Sequence, residues 1–170
     1  MADQQLHLGD GRVPFSVQST AKPINYCLAV EQNGLGLVHA HVGREPSGRV
    51  FNEITLNDAG LPHNPMINAG AIMTCSLLHR GLTVDERFGR IRGVWQELAS
   101  GSAVGFDGAV CRSEAATAYR NWALAYYMME KGTFPEGTDL GETLDLYFHS
   151  CSLSLTCRQM AMVAATLAAG

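Results

Sequence analysis

The segment from Met66 to Leu78 constrains the fold most, because it is apolar or small on most sides. A helix without a polar face has to be surrounded by other elements of the protein. Asn64 and Pro65 predict where this helix begins, with asparagine as the N-cap and proline at the first helical position. We therefore expect a central, buried helix with the rest of the chain packed around it.

The remaining sequence predicts a helix-dominated fold with little strand. Thr83 and Glu86 form a predicted capping box, and the alternation of Val13, Phe15 and Val17 with more polar neighbours predicts a strand within residues 1–18. Residues 50–56 are a second predicted extended piece. Helical patterns cover residues 20–30, 34–42, 83–99, a segment ending near 131, 139–150 and 156–169.

Composition excludes several classes of protein. With 170 residues, 46% of them hydrophobic and 16% charged, the chain fits one folded domain. A net charge of -4 provides no field for nucleic acid, and the one arginine cluster is interleaved with acidic residues, which predicts a solvated helix face. The members of that cluster are Arg87, Arg90 and Arg92.

A membrane or secreted protein is not expected. The longest strongly apolar stretch, residues 160–169, is well short of the roughly 20 residues that span a bilayer. No leader pattern opens the chain, and five cysteines are an odd number for a disulfide framework. These features predict reduced thiols, mostly buried, in a cytoplasmic protein.

Ser19 and Lys22 are the first candidates for chemistry. Residues three apart share a helical face, so the Lys22 amine could take the proton of the Ser19 hydroxyl. Apolar neighbours permit the desolvation that keeps a lysine neutral near pH 7. Taken alone, however, this tetrapeptide favours an N-cap serine over a nucleophile.

Four other polar positions could bind a ligand or serve the structure. Asn68 lies in the predicted apolar helix, where its amide needs a partner, and a structural role is favoured there. Glu114 and Asn121 would share one helical face, where they could hold the ammonium and carboxylate of an amino acid if Glu114 lies in a bend before the helix. A capping glutamate and a surface asparagine are equally consistent with the sequence. Tyr147 would relay a proton or, by default, pack.

Metal and nucleotide chemistry find no support. The chain has no phosphate-binding loop, no His-Glu-x-x-His and no Cys-x-x-Cys, and its six histidines are scattered. We expect no metal and no organic cofactor.

Together these clusters resemble the serine-dependent glutaminases, which share the architecture of penicillin-binding proteins and β-lactamases. The resemblance implies an α+β fold of the β-lactamase-like type, seen here mostly as helices with a short N-terminal strand or hairpin. It covers nearly all of the chain in order. The matching segments are 14–15, 18–19, 22–23, 43–51, 63–72, Glu114, 120–121, 134–138 and 147–148.

The resemblance implies a reaction and a role for each candidate. Ser19 would attack the side-chain amide of L-glutamine with Lys22 as general base, and Tyr147, near the nucleophile, would help proton transfer and contact substrate. Loss of ammonia and hydrolysis of the glutamyl-enzyme would give glutamate. The remaining substrate contacts are Glu114 for the α-ammonium, Asn121 for the α-carboxylate and Asn68 for the carboxamide.

The family domain is longer than this chain. We expect residues 1–170 to be a single catalytic domain incomplete at both ends, with 1–18 a strand remnant and 19–170 the helical part. An upstream tyrosine, later strands and an oxyanion-hole N–H would be missing, which predicts weak activity for the isolated chain. Apolar helix faces left without their sheet predict a homo-oligomer.

Two alternatives remain open. A Ser-x-x-Lys acyltransferase or β-lactamase shares the nucleophile and base, but it requires a Lys-Thr-Gly strand. Lys131-Gly132-Thr133 has the wrong order for that strand and falls in a predicted loop. The other alternative is a non-catalytic fragment that acts as an assembly module.

Overall fold

The computed structural model describes residue 6 and residues 8–169. A single turn of 3-10 helix, Gln18–Thr20, links the first strand to the first helix. In chain order the elements are β1 Phe15–Ser16, α1 Ala21–His41, α2 Asn68–Leu77, α3 Val84–Leu98, β2 Gly105–Phe106, α4 Gly108–Ala116, α5 Tyr119–Glu130, α6 Leu140–Cys151, β3 Leu153–Leu155 and α7 Cys157–Ala169.

Helix α2 is the predicted central helix. All of its residues are buried, and it packs against α1, α5 and α6. The predicted start at Asn64-Pro65 is wrong, because α2 begins at Asn68 with Ile67 as its N-cap. The Asn64 side chain instead accepts a hydrogen bond from the Met66 N–H at 2.9 Å, which makes a turn before the helix.

We predict that Gly70→Ala destabilises the protein by about 3 kcal/mol or more. A Cβ at this position would lie 1.9 Å from the Asn64 carbonyl oxygen and 2.9 Å from the Pro65 Cα, so the turn and the helix would have to separate. Urea unfolding of both proteins measures the change. Gly89→Ala is the matched control, since that helical glycine faces open space and alanine there should stabilise slightly. Equal stability of the two variants would contradict this account.

The sheet has three short antiparallel strands in the order β1-β3-β2. The predicted strand within residues 1–18 corresponds to β1, whereas residues 50–56 form no strand and contain a turn at residues 51–52 and a bend at residue 54. Just after β1, the Val17 N–H donates to the Leu153 carbonyl at 2.8 Å. The central strand β3 therefore fixes the point where the chain leaves the sheet and turns towards Ser19.

Apart from the start of α2, the helix predictions differ from the structure mainly between residues 108 and 131. The two predicted segments at 20–30 and 34–42 form α1, which is interrupted at Gly34, where φ is 77°. The single helix expected to end near 131 is instead two helices, α4 and α5, because Thr117 leaves the helical conformation and its N–H folds back to the Glu114 carbonyl. Glu114 and Asn121 therefore do not share one helical face.

Arg87 is not solvated, contrary to the prediction for its cluster. Its side chain is buried and donates from Nε to the Leu78 carbonyl at 2.9 Å and from Nη2 to the Cys75 carbonyl at 2.5 Å. These carbonyls lie at the C-terminal end of α2, where the Cys75 carbonyl also accepts the Leu78 N–H at 3.3 Å, and the guanidinium helps to satisfy them. Of its two neighbours, Arg90 is exposed and Arg92 is half-buried.

The cysteines are all free, and three of the five are buried. Within residues 6 and 8–169, no helix is long and apolar enough to cross a membrane. The same residues contain no group of three or more His, Cys, Asp or Glu side chains that could hold a metal ion.

Candidate active site

Ser19 lies at an exposed position in the 3-10 turn between β1 and α1. The N-cap of α1 is Thr20, and no side chain caps either the turn or the helix, so Ser19 has no capping role. The Thr20 hydroxyl donates to the Val17 carbonyl at 2.6 Å. Among the described residues the Ser19 hydroxyl has no hydrogen-bond partner.

Lys22 follows in the first turn of α1 and is buried, with 5% of its surface exposed. Its Nζ donates to Asn68 Oδ1 at 2.8 Å and lies 5.7 Å from the centre of the Phe51 ring. Burial lowers the pKa of the Lys22 amine, and a Cys151 thiolate would oppose that shift. Burial also raises the pKa of Cys151 to about 12, so the thiol is uncharged at neutral pH and desolvation of the lysine prevails.

Asn68 was expected inside the buried helix. It is instead the first residue of α2. Its Oδ1 accepts the bond from Lys22, and its Nδ2 donates to Asn121 Oδ1 at 3.1 Å. Its backbone N–H donates to the Phe51 carbonyl at 2.8 Å. The amide is thereby fixed in orientation and joins three segments of the chain, namely α1, α2 and α5.

Glu114 lies in the last turn of α4 and Asn121 in the first turn of α5. Glu114 Oε1 accepts a hydrogen bond from Gln18 Nε2 at 3.4 Å, which brings the carboxylate to the residue before Ser19. In the described part of the chain no lysine, arginine or histidine forms an ion pair with it. A helix C-terminus disfavours negative charge, so this half-buried carboxylate lacks the compensation usual at such a position.

Tyr147 is buried on α6, with the Cys151 thiol one turn further along the same helix. Burial raises the pKa of the Tyr147 hydroxyl above its ordinary value, and neighbouring Cys151 adds to the shift. The hydroxyl is therefore protonated at neutral pH and can donate a hydrogen bond. Helix α6 packs against α2, which carries Asn68, and against the 3-10 turn, which carries Ser19.

The comparison with protein families settles the kind of protein. The sequence model of the glutaminase family matches residues 1–170. The chain belongs to the glutaminase family. The predicted family and the α+β, β-lactamase-like fold are both confirmed.

Individual members of the glutaminase family agree with this assignment. The mitochondrial liver-isoform glutaminase of Rattus norvegicus is 43% identical over 169 residues, or 99% of this chain. A glutaminase of Rhodopseudomonas palustris is 43% identical over 94% of the chain. The crystal structure of a Bacillus glutaminase in 4.3 M NaCl is 36% identical, with a TM-score of 0.87 over 95% of this chain and 54% of its own. The chain spans 28% of the rat protein and 51% of the Rhodopseudomonas one.

Three residues at this candidate site, Gln18, Phe51 and Cys151, receive no role from the sequence. A lone glutamine, phenylalanine or cysteine has no spacing that marks it, since each reaches the site only through the packing of distant segments. Residues 131–133 do not form the Lys-Thr-Gly strand that a β-lactamase would need. Lys131-Gly132-Thr133 is the turn and loop after α5, as predicted, and Gly132 has a φ of 65°.

Proposed function

We propose that the protein hydrolyses the side-chain amide of L-glutamine to L-glutamate and ammonia. The observation that carries the proposal is the buried Lys22 amine, whose pKa is lowered, in the first turn after an exposed serine without a capping role. A buried amine of lowered pKa three residues after an unengaged hydroxyl supports nucleophilic catalysis by a serine. Membership of the glutaminase family supports glutamine as the substrate.

In the proposed reaction, Lys22 takes the proton of Ser19 while Oγ bonds to the amide carbon of the substrate. The tetrahedral intermediate collapses when its nitrogen accepts that proton from Lys22 and leaves as ammonia, which gives a glutamyl ester on Ser19. Water then adds to the ester, Lys22 takes its proton, and glutamate leaves as the serine regains a proton. Tyr147, whose hydroxyl is protonated, assists these transfers as a hydrogen-bond donor.

The proposed substrate contacts follow the charges of the site. Glu114 would accept hydrogen bonds from the α-ammonium group, for which its lack of a cationic partner is the support. Asn121 would donate to the α-carboxylate, and Asn68 would orient the carboxamide beside Lys22, to which it is bonded. No metal or organic cofactor takes part in the proposed reaction.

We predict that Glu114→Gln raises KM for L-glutamine about 10- to 100-fold, because a hydrogen bond to a charged group is worth about 1.5–3 kcal/mol. The measurement is ammonia release by the intact protein that carries this sequence. Glu97→Gln, an exposed change on α3, is the control and should leave KM unaltered.

Two results would count against the function. A wild-type protein that releases no ammonia from L-glutamine would refute the activity itself. A Glu114→Gln variant with unchanged KM would refute the ammonium contact and leave the activity standing.

The proposal extends to the setting of the reaction. Residues 1–170 would form part of one catalytic domain, and the protein would associate with itself in the cytoplasm. Exposed apolar side chains support association, among them Val50, Phe51 and Ile54 in one loop and Leu167 on α7.

A further inference from the structure

Gln18 combines two features that the proposed reaction does not use. Its φ is 49°, in the left-handed region that residues other than glycine seldom adopt. Its side-chain amide also donates to Glu114 Oε1, across 96 positions of the sequence. A strained backbone next to a candidate nucleophile points to a functional constraint.

The turn around Gln18 is held on both sides. Before it, the Val17 N–H donates to Leu153 in the central strand, and after it, the N–H and hydroxyl of Thr20 both donate to the Val17 carbonyl. The chain must therefore reverse within Gln18 and Ser19, and Gln18 takes the left-handed conformation. The same residue that fixes the backbone before Ser19 thus reaches Glu114.

The chemistry of this contact suits a carboxylate that binds a cation. A lysine or arginine next to Glu114 would neutralise its charge and compete with an ammonium group for it. The glutamine amide is neutral, so it orients one carboxylate oxygen and leaves the charge in place. Glu114 Oε2 has no hydrogen-bond partner among the described residues.

We propose that Gln18 is a positioning residue that holds Glu114 in the orientation needed for the α-ammonium group of the substrate. This inference rests on the proposed function and adds a residue to it. Because Gln18 adjoins Ser19, it also sets the distance between the recognised ammonium group and the attacking oxygen. At 3.4 Å the bond is long, and its effect is on orientation more than on stability.

Gln18→Asn in the intact protein tests the proposal. Asparagine accepts the left-handed conformation but is one methylene shorter, so the turn is kept and the bond to Glu114 is lost. We expect KM for L-glutamine to rise about 3- to 10-fold, the range for a neutral hydrogen bond, with little change in kcat. Gln96→Asn on α3 is the matched control.

A second substrate separates positioning from general damage. Glutaric acid monoamide has the same amide and carboxylate but no α-ammonium group, so wild type and Gln18→Asn should have the same KM for it. An equal loss for both substrates, or no loss for either, would overturn the proposal. The double variant Gln18→Asn, Glu114→Gln should have the KM of Glu114→Gln alone, and additive effects would also overturn it.

If Gln18→Asn does not fold, as judged by circular dichroism, Gln18→Glu provides the same test. Its carboxylate keeps the length of glutamine but repels Glu114, so KM for L-glutamine should rise further than about 10-fold. An unchanged KM in that variant would overturn the inference. A wild-type protein without glutaminase activity would instead refute the proposed function, and this inference with it.

Discussion

The intact protein with Ser19→Ala should release ammonia from L-glutamine at least about 10⁴-fold more slowly than wild type. Alanine removes the oxygen that forms the glutamyl ester, and no other described hydroxyl occupies the turn before Lys22 except Thr20, whose hydroxyl is bonded to the Val17 carbonyl. Stability should hardly change, because Ser19 is exposed and caps no helix.

Steady-state ammonia release and thermal unfolding measure the two halves of this prediction. Ser102→Ala, at an exposed position in the loop after α3, controls for loss of a serine elsewhere. A second readout is the mass of the protein stopped during turnover, which should increase by a glutamyl group in wild type and not in Ser19→Ala. Retained activity in Ser19→Ala would remove this serine from the mechanism.

Lys22→Met should lower kcat by about 10⁴-fold as well, since the base and the nucleophile act as a unit. Methionine fills the buried site without a titratable group. The control is Lys131→Met, at an exposed position that follows the C-terminal end of α5, and it should leave kcat unaltered. Equal rates for Lys22→Met and wild type would exclude Lys22 as the base.

The pH dependence gives Lys22 a second test. The wild-type rate should fall as pH drops through the lowered pKa of Lys22, because the amine is then protonated and cannot act as a base. Between this pKa and the ordinary lysine value, the unfolded state binds more protons than the folded state, so stability should rise with pH. Lys22→Met should lose this rise, and denaturant unfolding at several pH values measures it.

The sequence predicts the helices well because their signals are local. The capping box at Thr83 and Glu86 is present as expected, since both members lie within one turn. The strands β2 and β3 were not predicted, because two- and three-residue strands are too short to show alternation. Their existence depends on pairing between distant segments.

The site shows the same division between local and distant signals. The spacing of Ser19 and Lys22 identifies a possible pair, but the burial that lowers the pKa of Lys22 comes partly from contacts with α2 and the loop at Phe51. Arg87 was predicted to be solvated because its neighbours in sequence are charged, whereas its hydrogen bonds are to carbonyls of another helix. The break between Glu114 and Asn121 contains neither glycine nor proline to signal it.

The side-chain amide of Asn68 is hydrogen-bonded to both Lys22 and Asn121 and so couples the charge states of these two parts of the site. The oxygen of this amide is hydrogen-bonded to Lys22 and its nitrogen to Asn121, so a proton gained by Lys22 would polarise the asparagine proposed to bind the carboxylate. By thermodynamic linkage, any ligand that Asn121 binds more tightly when Lys22 is protonated must raise the proton affinity of Lys22 to the same extent. In the proposed reaction, the proton affinity of Lys22 and the retention of glutamate are therefore one coupled equilibrium.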